Sequence, residues 1–449
     1  MNDLNEISPV AVKRNPVSTL RPALEHSPDL NLLDSKTAVV VFLAFAAAYF
    51  CSALLRAITA TLAPVLMQEF SLKSRDLGLL AGGYFLGFAA VQLPLGVWLD
   101  RLGPKRVILW FLGLAVAGCL AFSAASSFAG LLAARVLLGM GVGACLMAAL
   151  TGYRRWFSAA ILLRANSWML MTGSLGMLAS TLPVQWLMPL TGWRPLFWLL
   201  AVLIVLSMAA IVYAVPRWGM AAAVPGDASQ AALRAPAGTL STHEESGYRL
   251  VWQSRYFRKM APLAFFNYGG MVALQTLWAG PWMVKVAGYT PLESATGLFW
   301  INAGMLVTFW CWGVANPWLA RKHWNATRLI AWGAPLSLVA LAFNIFAGAS
   351  TGWLGWAIFC IASSVLGLAQ PAVGMAFRPG LAGRALSAYN LVIFAGVFTV
   401  QWSLGLLIDG FAAMGLRQVA SFQAALAIFL CCCIAAYACF LGVKADNSA

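Results

Sequence analysis

Two arginines, Arg56 and Arg135, lie within long apolar segments of this 449-residue sequence. A charged side chain at the centre of a membrane-spanning helix costs about 2.5–3.5 kcal/mol, so each arginine needs a function or a partner. None of the 14 acidic residues lies within those segments other than at their ends. A guanidinium group without a carboxylate neighbour attracts anions, because a carboxylate or phosphate accepts two charge-assisted hydrogen bonds from it. The first chemistry that the sequence predicts is therefore anion binding inside a membrane.

Each arginine also has an alternative, structural role. Arg56 can extend toward the membrane surface or satisfy backbone carbonyls around Pro64, and Arg135 can brace neighbouring helices through hydrogen bonds. Arg56 lies eight residues before Pro64, and Arg135 lies eight residues after Ser127. At 1.5 Å per residue both distances are about 12 Å, so the two guanidinium groups are expected at one depth.

The sequence lacks the residues that a metal centre or a hydrolytic site within the membrane would need. The nine cysteines lie in apolar stretches, with no C-x-x-C pair beside a histidine, and the three histidines, His26, His243 and His323, lie in polar segments. A metal centre or a hydrolytic site within the membrane needs such residues in one cluster. We therefore expect no enzymatic activity, no bound metal and no cofactor.

The composition describes a chain whose surroundings are mostly lipid. Hydrophobic residues make up 61% of the sequence and charged residues only 10%, whereas an average soluble domain carries roughly 25% charged residues. Segments of about 20 residues that are free of internal charge predict transmembrane helices. The twelve predicted segments are 37–65, 76–98, 104–125, 128–152, 162–188, 193–215, 260–285, 293–318, 328–349, 352–377, 385–408 and 418–442. They form two groups of six separated by a polar stretch.

The distribution of basic residues predicts the orientation of the chain. With a cytoplasmic N-terminus, 22 of the 29 lysines and arginines fall in cytoplasmic segments, as the positive-inside rule requires. Because these residues are spread over seven segments, we exclude a nucleic-acid partner. The predicted regions are a disordered cytoplasmic tail (1–35), a six-helix bundle (36–216), a cytoplasmic linker (217–259), a second six-helix bundle (260–442) and a second cytoplasmic tail (443–449).

The loop after the second predicted helix contains the pattern G-x-x-x-D-R-x-G-x-K-R. Its fixed positions are Gly96, Asp100, Arg101, Gly103, Lys105 and Arg106. The pattern and its position resemble the loop signature of the major facilitator superfamily. The glycine permits close helix approach, and the aspartate can pair with cations or face a helix N-terminus in one conformation. The resemblance implies a conformational latch, while the alternative is that the basic residues only determine topology.

A second pattern lies in the fourth predicted helix. Arg135, Gly139, Gly141 and Gly143 resemble the R-x-x-x-G-x-G-x-G helix of the same superfamily, whose closely spaced glycines let helices touch backbone to backbone. The resemblance implies an all-α membrane protein with twelve helices in two six-helix bundles related as inverted repeats, with both termini cytoplasmic. It also implies that the helices of Arg56 and Arg135 line one central water-filled cavity.

The spacing from Arg56 to Pro64, with Tyr49 about two helical turns before Arg56, is similar to the organic-anion branch of the superfamily. In that branch the corresponding arginine helps to bind the substrate carboxylate. This sequence departs from the branch at two positions, because Leu55 and Val142 stand where acidic residues are usual. Proton symport through the carboxylates of that branch is therefore not expected, while anion exchange, facilitated diffusion and a different coupling ion stay open. A coupling ion, if there is one, is expected to be a proton or an exchanged anion.

The first and seventh helices are equivalent in the two repeats that the resemblance implies. The seventh predicted helix carries Asn267 and Gln275, eight residues apart and near one helical face, followed by Trp278 and a Gly-Pro pair at 280–281. These three residues are the second-half candidates for substrate contact. Hydrogen bonding or packing between helices is the alternative for each of them.

These observations predict a secondary transporter that works by alternating access. We expect it to act as a monomer in the bacterial cytoplasmic (inner) membrane and to move a small organic anion. The first alternative is an exporter of drugs or metabolites, for example a siderophore, because a cavity rich in tryptophan and methionine suits bulky apolar ligands. The second is a receptor or membrane scaffold that no longer transports, although an intact latch motif argues against a protein that never changes conformation.

Overall fold

The computed structural model describes residues 33–216, 248–322 and 324–443, and within these ranges all regular secondary structure is helical. The first half contains nine helices separated by short breaks or turns. They are α1 (Ser35–Glu69), α2 (Ser74–Ala90), α3 (Gln92–Leu102), α4 (Pro104–Ala124), α5 (Phe128–Val142), α6 (Cys145–Trp156), α7 (Ala159–Ala179), α8 (Leu182–Thr191) and α9 (Trp193–Ala214).

The second half begins with a short helix at 248–253. The α-helices that follow are α10 (Arg255–Pro262), α11 (Gly269–Ala273), α12 (Ala279–Lys285), α13 (Pro291–Arg321), α14 (Ala326–Ala347), α15 (Trp353–Ser363), α16 (Ala369–Met375), α17 (Pro379–Ala413) and α18 (Gln418–Gly442). Two π-helical segments, Leu263–Tyr268 and Leu274–Trp278, interrupt the region between α10 and α12. Short 3₁₀ turns at Gly348–Ser350 and Ser364–Leu368 connect α14 to α15 and α15 to α16.

The all-helical membrane fold predicted from the sequence is confirmed. The twelve predicted ranges fall largely on helical residues, and in the described part of the chain nine helices are long and apolar enough to cross a membrane. Counting the pair α2 and α3, which bends by 40°, raises that number to ten. The predicted ranges 162–188 and 260–285 consist of shorter helical pieces. Twelve crossings and cytoplasmic termini stay predictions.

The predicted regions outside the bundles are only partly described. Most of the first tail (1–32), the centre of the predicted linker (217–247) and most of the second tail (444–449) lie outside the described residues. The last part of the linker, 248–259, is largely helical. The division into two bundles, two tails and a linker therefore stays a prediction.

The two halves of the chain pack against each other, mainly through α2 and α17, through α7 and α8 with α13, and through α1 with the π-helical region and α12. We call the end that carries Leu33 and Val443 the terminal end, and the opposite end, which carries Glu69 and Asp409, the distal end. In the described part of the chain, the hydrogen bonds and aromatic contacts between the halves lie from the centre of the molecule to the distal end. The distal end is therefore closed in this structure.

The glycines of α5 allow the close packing that the sequence predicts. A Cβ atom on Gly139 would overlap the backbone carbonyl of Tyr84 in α2, and one on Gly141 would overlap the backbone of Ala115 in α4. Backbone contact of this kind needs small residues, because membrane helices associate through packing rather than through hydrophobic burial. At Gly96 the expected close approach is not found in this conformation, since a Cβ atom there would meet nothing within 4 Å.

We expect Gly139→Ala to lower the melting temperature of the purified protein clearly, because the added methyl group collides with the Tyr84 carbonyl. Overpacking of this type costs about 1–3 kcal/mol. The matched control is Gly113→Ala in α4, where an added Cβ meets nothing within 4 Å and helix propensity improves. Equal melting temperatures for the two variants would contradict the packing described here.

Candidate functional site

Arg56 lies near the middle of α1, where it is only partly exposed. Its guanidinium carbon lies 5.9 Å from the centroid of the Phe88 ring, a cation–π contact with α2. The guanidinium also interacts electrostatically with the phenol groups of Tyr84, Tyr49 and Tyr268. Because Tyr268 belongs to the second half of the chain, Arg56 faces the space between the two halves.

The positive charge of Arg56 is not neutralised within the described part of the chain. The ion pairs found there, Arg75 with Asp76 and Arg194 with Glu69, both lie toward the distal end. The Nε atom of Arg56 is buried and has no hydrogen-bond partner. A buried polar atom without a partner is costly, so Arg56 retains an unused capacity to bind an acceptor.

Arg135 has a different environment, although it bonds to residues of α1 close to Arg56. It is 1% exposed, and its Nη1 and Nη2 atoms donate to the backbone carbonyl of Leu55 and the hydroxyl of Thr59, at 3.0 and 2.5 Å. Its guanidinium carbon lies 5.2 Å from the centroid of the Tyr84 ring. This arrangement braces α5 against α1. The guanidinium does not face the space between the halves in this structure, and substrate contact by Arg135 stays a prediction.

Tyr49 also fills a packing position. The residue is 6% exposed, and its ring lies so close to Gly173 of α7 that a Cβ atom on that glycine would be 2.7 Å from Cε1. The phenol nevertheless interacts electrostatically with Arg56. Tyr49 therefore lies at the edge of the Arg56 environment.

The three second-half candidates each contact another helix of their own half. Asn267 donates to the carbonyl of Cys433 in α18 at 3.4 Å, and Gln275 donates to the side chain of Asn302 in α13 at 3.0 Å. Trp278 donates to the carbonyl of Gln401 in α17 at 3.1 Å. This is the interhelical bonding that the sequence left open as the alternative, and substrate contact by these residues stays a prediction.

The π-helical segments explain why Asn267 and Gln275 do not share a face. A π-helix accommodates more residues per turn than an α-helix, so each segment changes the direction in which the following side chains point. Asn267 lies in the first π-helical segment and Gln275 in the second. Their eight-residue spacing, which assumed a regular α-helix, therefore no longer places them together.

Several residues near Arg56 could not be identified as neighbours of the site from the sequence. Phe88 of α2 and Phe394 of α17 come from different halves, and their ring centroids are 4.4 Å apart. Tyr84 donates from its hydroxyl to the Ser52 carbonyl at 3.1 Å, which joins α2 to α1 one turn before Arg56. The chain has 26 phenylalanines and 10 tyrosines, so residue type alone cannot single these out.

The comparison with known proteins decides the family. The model of the Major Facilitator Superfamily matches residues 45–400 of this chain, which is most of its length. The chain belongs to the major facilitator superfamily. It is a multi-pass membrane transporter and not an enzyme.

Individual members of the superfamily resemble the chain to different degrees. A gallate transporter from Pseudomonas putida is 26% identical over 412 residues, which cover 83% of this chain and 87% of the relative. A bacterial homologue of the human lysosomal transporter Spinster, in an inward-facing and unoccupied conformation, superposes with a TM-score of 0.73 at 16% identity, over 91% of this chain and 97% of that one. A D-xylose–proton symporter superposes with a TM-score of 0.71 at 13% identity, over 91% and 98% of the two chains.

The superfamily loop signature lies at the terminal end of the first half. Gly103 adopts φ 77°, a left-handed conformation that favours glycine, and separates α3 from α4. Lys105 donates to the carbonyls of Val212 and Val215 at the C-terminus of α9, at 2.7 and 2.6 Å. A lysine at a helix C-terminus satisfies free carbonyls and complements the helix dipole.

The described residues of the signature do not test the predicted latch. Arg101 and Arg106 are exposed, and the side chain of Asp100 lies outside the described residues. Gly96 has open space around it. The latch at this end of the superfamily fold therefore stays a prediction.

At the distal end a carboxylate joins the two halves. Asp409 of α17 accepts hydrogen bonds from the backbone amides of Ser74 and Arg75 in the first turn of α2, at 3.1 and 2.8 Å. Gly405, one turn earlier, lies against the backbone of the same two residues, where a Cβ atom would overlap them. The sequence ended the eleventh predicted helix at 408, whereas α17 continues to Ala413 and so places Asp409 on the helix.

Proposed function

We propose that the protein is a secondary transporter that moves a small organic anion by alternating access. The observation that supports this most is Arg56, whose charge lies between the halves of the bundle without a carboxylate partner among the described residues. Arginine binds carboxylates in a bidentate geometry, and the interaction is strong where water is scarce. The distant similarity to a gallate transporter is consistent with an organic acid as the substrate.

The surroundings of Arg56 suit the organic part of such a substrate. Phe88 and Phe394 form an apolar wall to which each half contributes one ring. Tyr84 and Tyr268 place phenol groups near the guanidinium. An anion bound here would contact both halves, and a ligand that contacts both can shift the equilibrium between their arrangements.

We propose that the distal end faces the outside of the bacterial inner membrane and the terminal end faces the cytoplasm, because 22 of the 29 basic residues fall in the segments that the sequence predicts to be cytoplasmic. The structure, closed at its distal end, would then be an inward-facing state. Leu55, just before Arg56, and Val142, seven residues after Arg135, stand where the organic-anion branch usually has acidic residues. The proposal accordingly includes no proton transfer through a carboxylate beside Arg56, and the coupling ion is a proton bound elsewhere or an exchanged anion.

A thermal-shift screen of the purified protein tests the binding part of the proposal. The probes are gallate and other organic acids, phosphorylated metabolites and cationic dyes. We expect organic acids to raise the melting temperature, since a ligand present at 100 times its dissociation constant stabilises the bound state by about 2.7 kcal/mol. Stabilisation by cationic dyes alone would overturn the anion assignment and favour the exporter.

Uptake into proteoliposomes tests the transport part. We expect a radiolabelled acid that stabilises the protein to accumulate or equilibrate in vesicles containing it, faster than in protein-free vesicles. A second set of vesicles preloaded with the unlabelled acid distinguishes exchange from uniport. Binding without any flux in either set would favour the receptor or scaffold.

A further inference from the structure

Two amide side chains bond to each other between α16 and α17 and keep further hydrogen-bonding groups. Gln370 of α16 donates from Nε2 to Oδ1 of Asn390 in α17 at 2.7 Å. Both residues are partly exposed, although both lie well inside predicted transmembrane segments. The bond uses one donor of Gln370 and one acceptor site of Asn390, so the pair retains further donors and acceptors.

Tyr268 connects this pair to Arg56. A Cβ atom on Gly367 would lie 3.6 Å from Cε2 of the Tyr268 ring, and Gly367 precedes Gln370 by about one helical turn. The Tyr268 phenol also lies near the guanidinium of Arg56. The amide pair is therefore about one turn from a residue that borders the arginine.

A second and independent series of contacts leads to the same place. Asn390 precedes Phe394 by about one helical turn. The Phe394 ring packs on Phe88 with 4.4 Å between the centroids, and the guanidinium carbon of Arg56 lies 5.9 Å from the centroid of Phe88. Two series of contacts, one through Tyr268 and one through Phe394 and Phe88, thus lead from the amide pair to Arg56.

Other amide side chains of the second half differ from this pair. Asn267, Gln275 and Gln401 are 4%, 6% and 0% exposed, and each bonds to a residue of another helix in the same half. These three amides are enclosed by packing. Gln370 and Asn390 instead combine partial exposure with proximity to Arg56.

We propose that Gln370 and Asn390 form the second end of the substrate site and bind a hydroxyl or carbonyl group of the anion whose carboxylate is held by Arg56. The inference rests on the proposed function and adds a substrate class, the hydroxy- or oxo-substituted organic acids. A neutral amide pair can both donate to and accept from a hydroxyl group, and it supplies no charge to balance a second carboxylate. A site that bonds a hydroxyl discriminates against the analogue without it, because its own polar groups are then left unpaired.

The test compares two probes that share a carboxylate and a ring, gallate with three ring hydroxyls and benzoate with none. Dissociation constants are measured by calorimetry for the wild type, Gln370→Leu and Asn390→Leu. We expect the wild type to bind gallate at least about tenfold more tightly than benzoate, since one or two hydrogen bonds provide that ratio. Each variant should lose most of this preference while its affinity for benzoate changes by less than about twofold.

Gln423→Leu is the matched control. It removes an amide that donates to the Ile345 carbonyl at 2.6 Å between α18 and α14, away from Arg56, and it should keep the preference for gallate. Melting temperatures without ligand show whether each variant is folded, and Asn390→Leu substitutes for Gln370→Leu if the latter is not. Equal binding of the two probes by the wild type, or an unchanged preference in folded variants, would overturn the inference and leave the proposed function standing. Failure of the wild type to bind either acid, or any other organic anion, would overturn both.

Discussion

Replacing Arg56 with alanine is expected to abolish the thermal stabilisation that organic acids produce in the wild type. A hydrogen bond to a charged group contributes about 1.5–3 kcal/mol, so its loss lowers affinity by roughly 10- to 150-fold. Arg56→Lys should retain part of the effect, because lysine keeps the charge but not the bidentate geometry. Thermal-shift titration with gallate measures the stabilisation of the wild type, Arg56→Ala and Arg56→Lys.

The melting temperature without ligand distinguishes a binding role of Arg56 from a role in stability. Arg56 is partly enclosed, lacks an ion pair in the described part of the chain, and has a buried Nε without a partner. Removal of such a charge should leave the ligand-free protein as stable as the wild type or more stable. A variant that loses the ligand response without losing stability identifies Arg56 as a binding residue. An undiminished ligand response in Arg56→Ala would refute that assignment.

Arg135→Ala provides the contrast on the neighbouring helix. This arginine is 1% exposed and bonds to Leu55 and Thr59 of α1, so the variant should lose melting temperature even without ligand. The folded fraction of Arg135→Ala should still be stabilised by gallate. The opposite pattern, an unchanged melting temperature with a lost response, would assign substrate binding to Arg135.

Replacing Asp409 with alanine is expected to open the distal end of the bundle. The variant removes two charge-assisted hydrogen bonds that cross from one half to the other, those to the amides of Ser74 and Arg75. A carboxylate at a helix N-terminus is also favoured by the helix dipole. We expect the fraction of molecules with an open distal end to rise by at least about tenfold, which corresponds to about 1.4 kcal/mol.

Hydrogen–deuterium exchange measures this opening without labels. In Asp409→Ala, exchange should accelerate together in segments 74–88 and 394–409, because these segments face each other across the interface. Asp76→Ala is the matched control, since Asp76 caps the amide of Lys73 in its own half at 3.0 Å. The control should accelerate exchange only near residue 73. An effect of Asp409→Ala confined to the first turn of α2 would show that the carboxylate merely caps a helix.

Asp409 makes at the distal end the kind of contact that the sequence predicts for Asp100 at the terminal end, a carboxylate at a helix N-terminus. The loop signature suggests that Asp100 faces a helix N-terminus in one conformation, and the structure shows Asp409 facing the N-terminus of α2. Alternating access needs a contact at each end that forms when that end closes. The terminal-end contact stays a prediction, whereas the distal one is present in this structure.

The sequence by itself determined the helices and their approximate ends. A helix that crosses a bilayer must satisfy its own backbone and present apolar side chains over about 20 residues, so its signal is local and continuous. The range 418–442 predicts α18 to the residue, and 104–125 predicts α4 to within one. Arg56 was found for the same reason, because an ionisable residue in such a segment is conspicuous.

The tertiary structure decided which groups each side chain meets. Arg56 and Arg135 are indistinguishable by depth and type, and the Nε atom of each is buried without a partner. The Nη atoms of Arg135 are nevertheless held by Leu55 and Thr59, whereas Arg56 lies beside Phe88, whose ring packs on Phe394 of the other half. The π-helical turns that separate Asn267 from Gln275 have no sequence signature, and Gln370 and Asn390 are joined by packing of helices α16 and α17. Hydropathy depends on each residue and its immediate neighbours, whereas a binding site depends on contacts between residues hundreds of positions apart, which only the packed bundle determines.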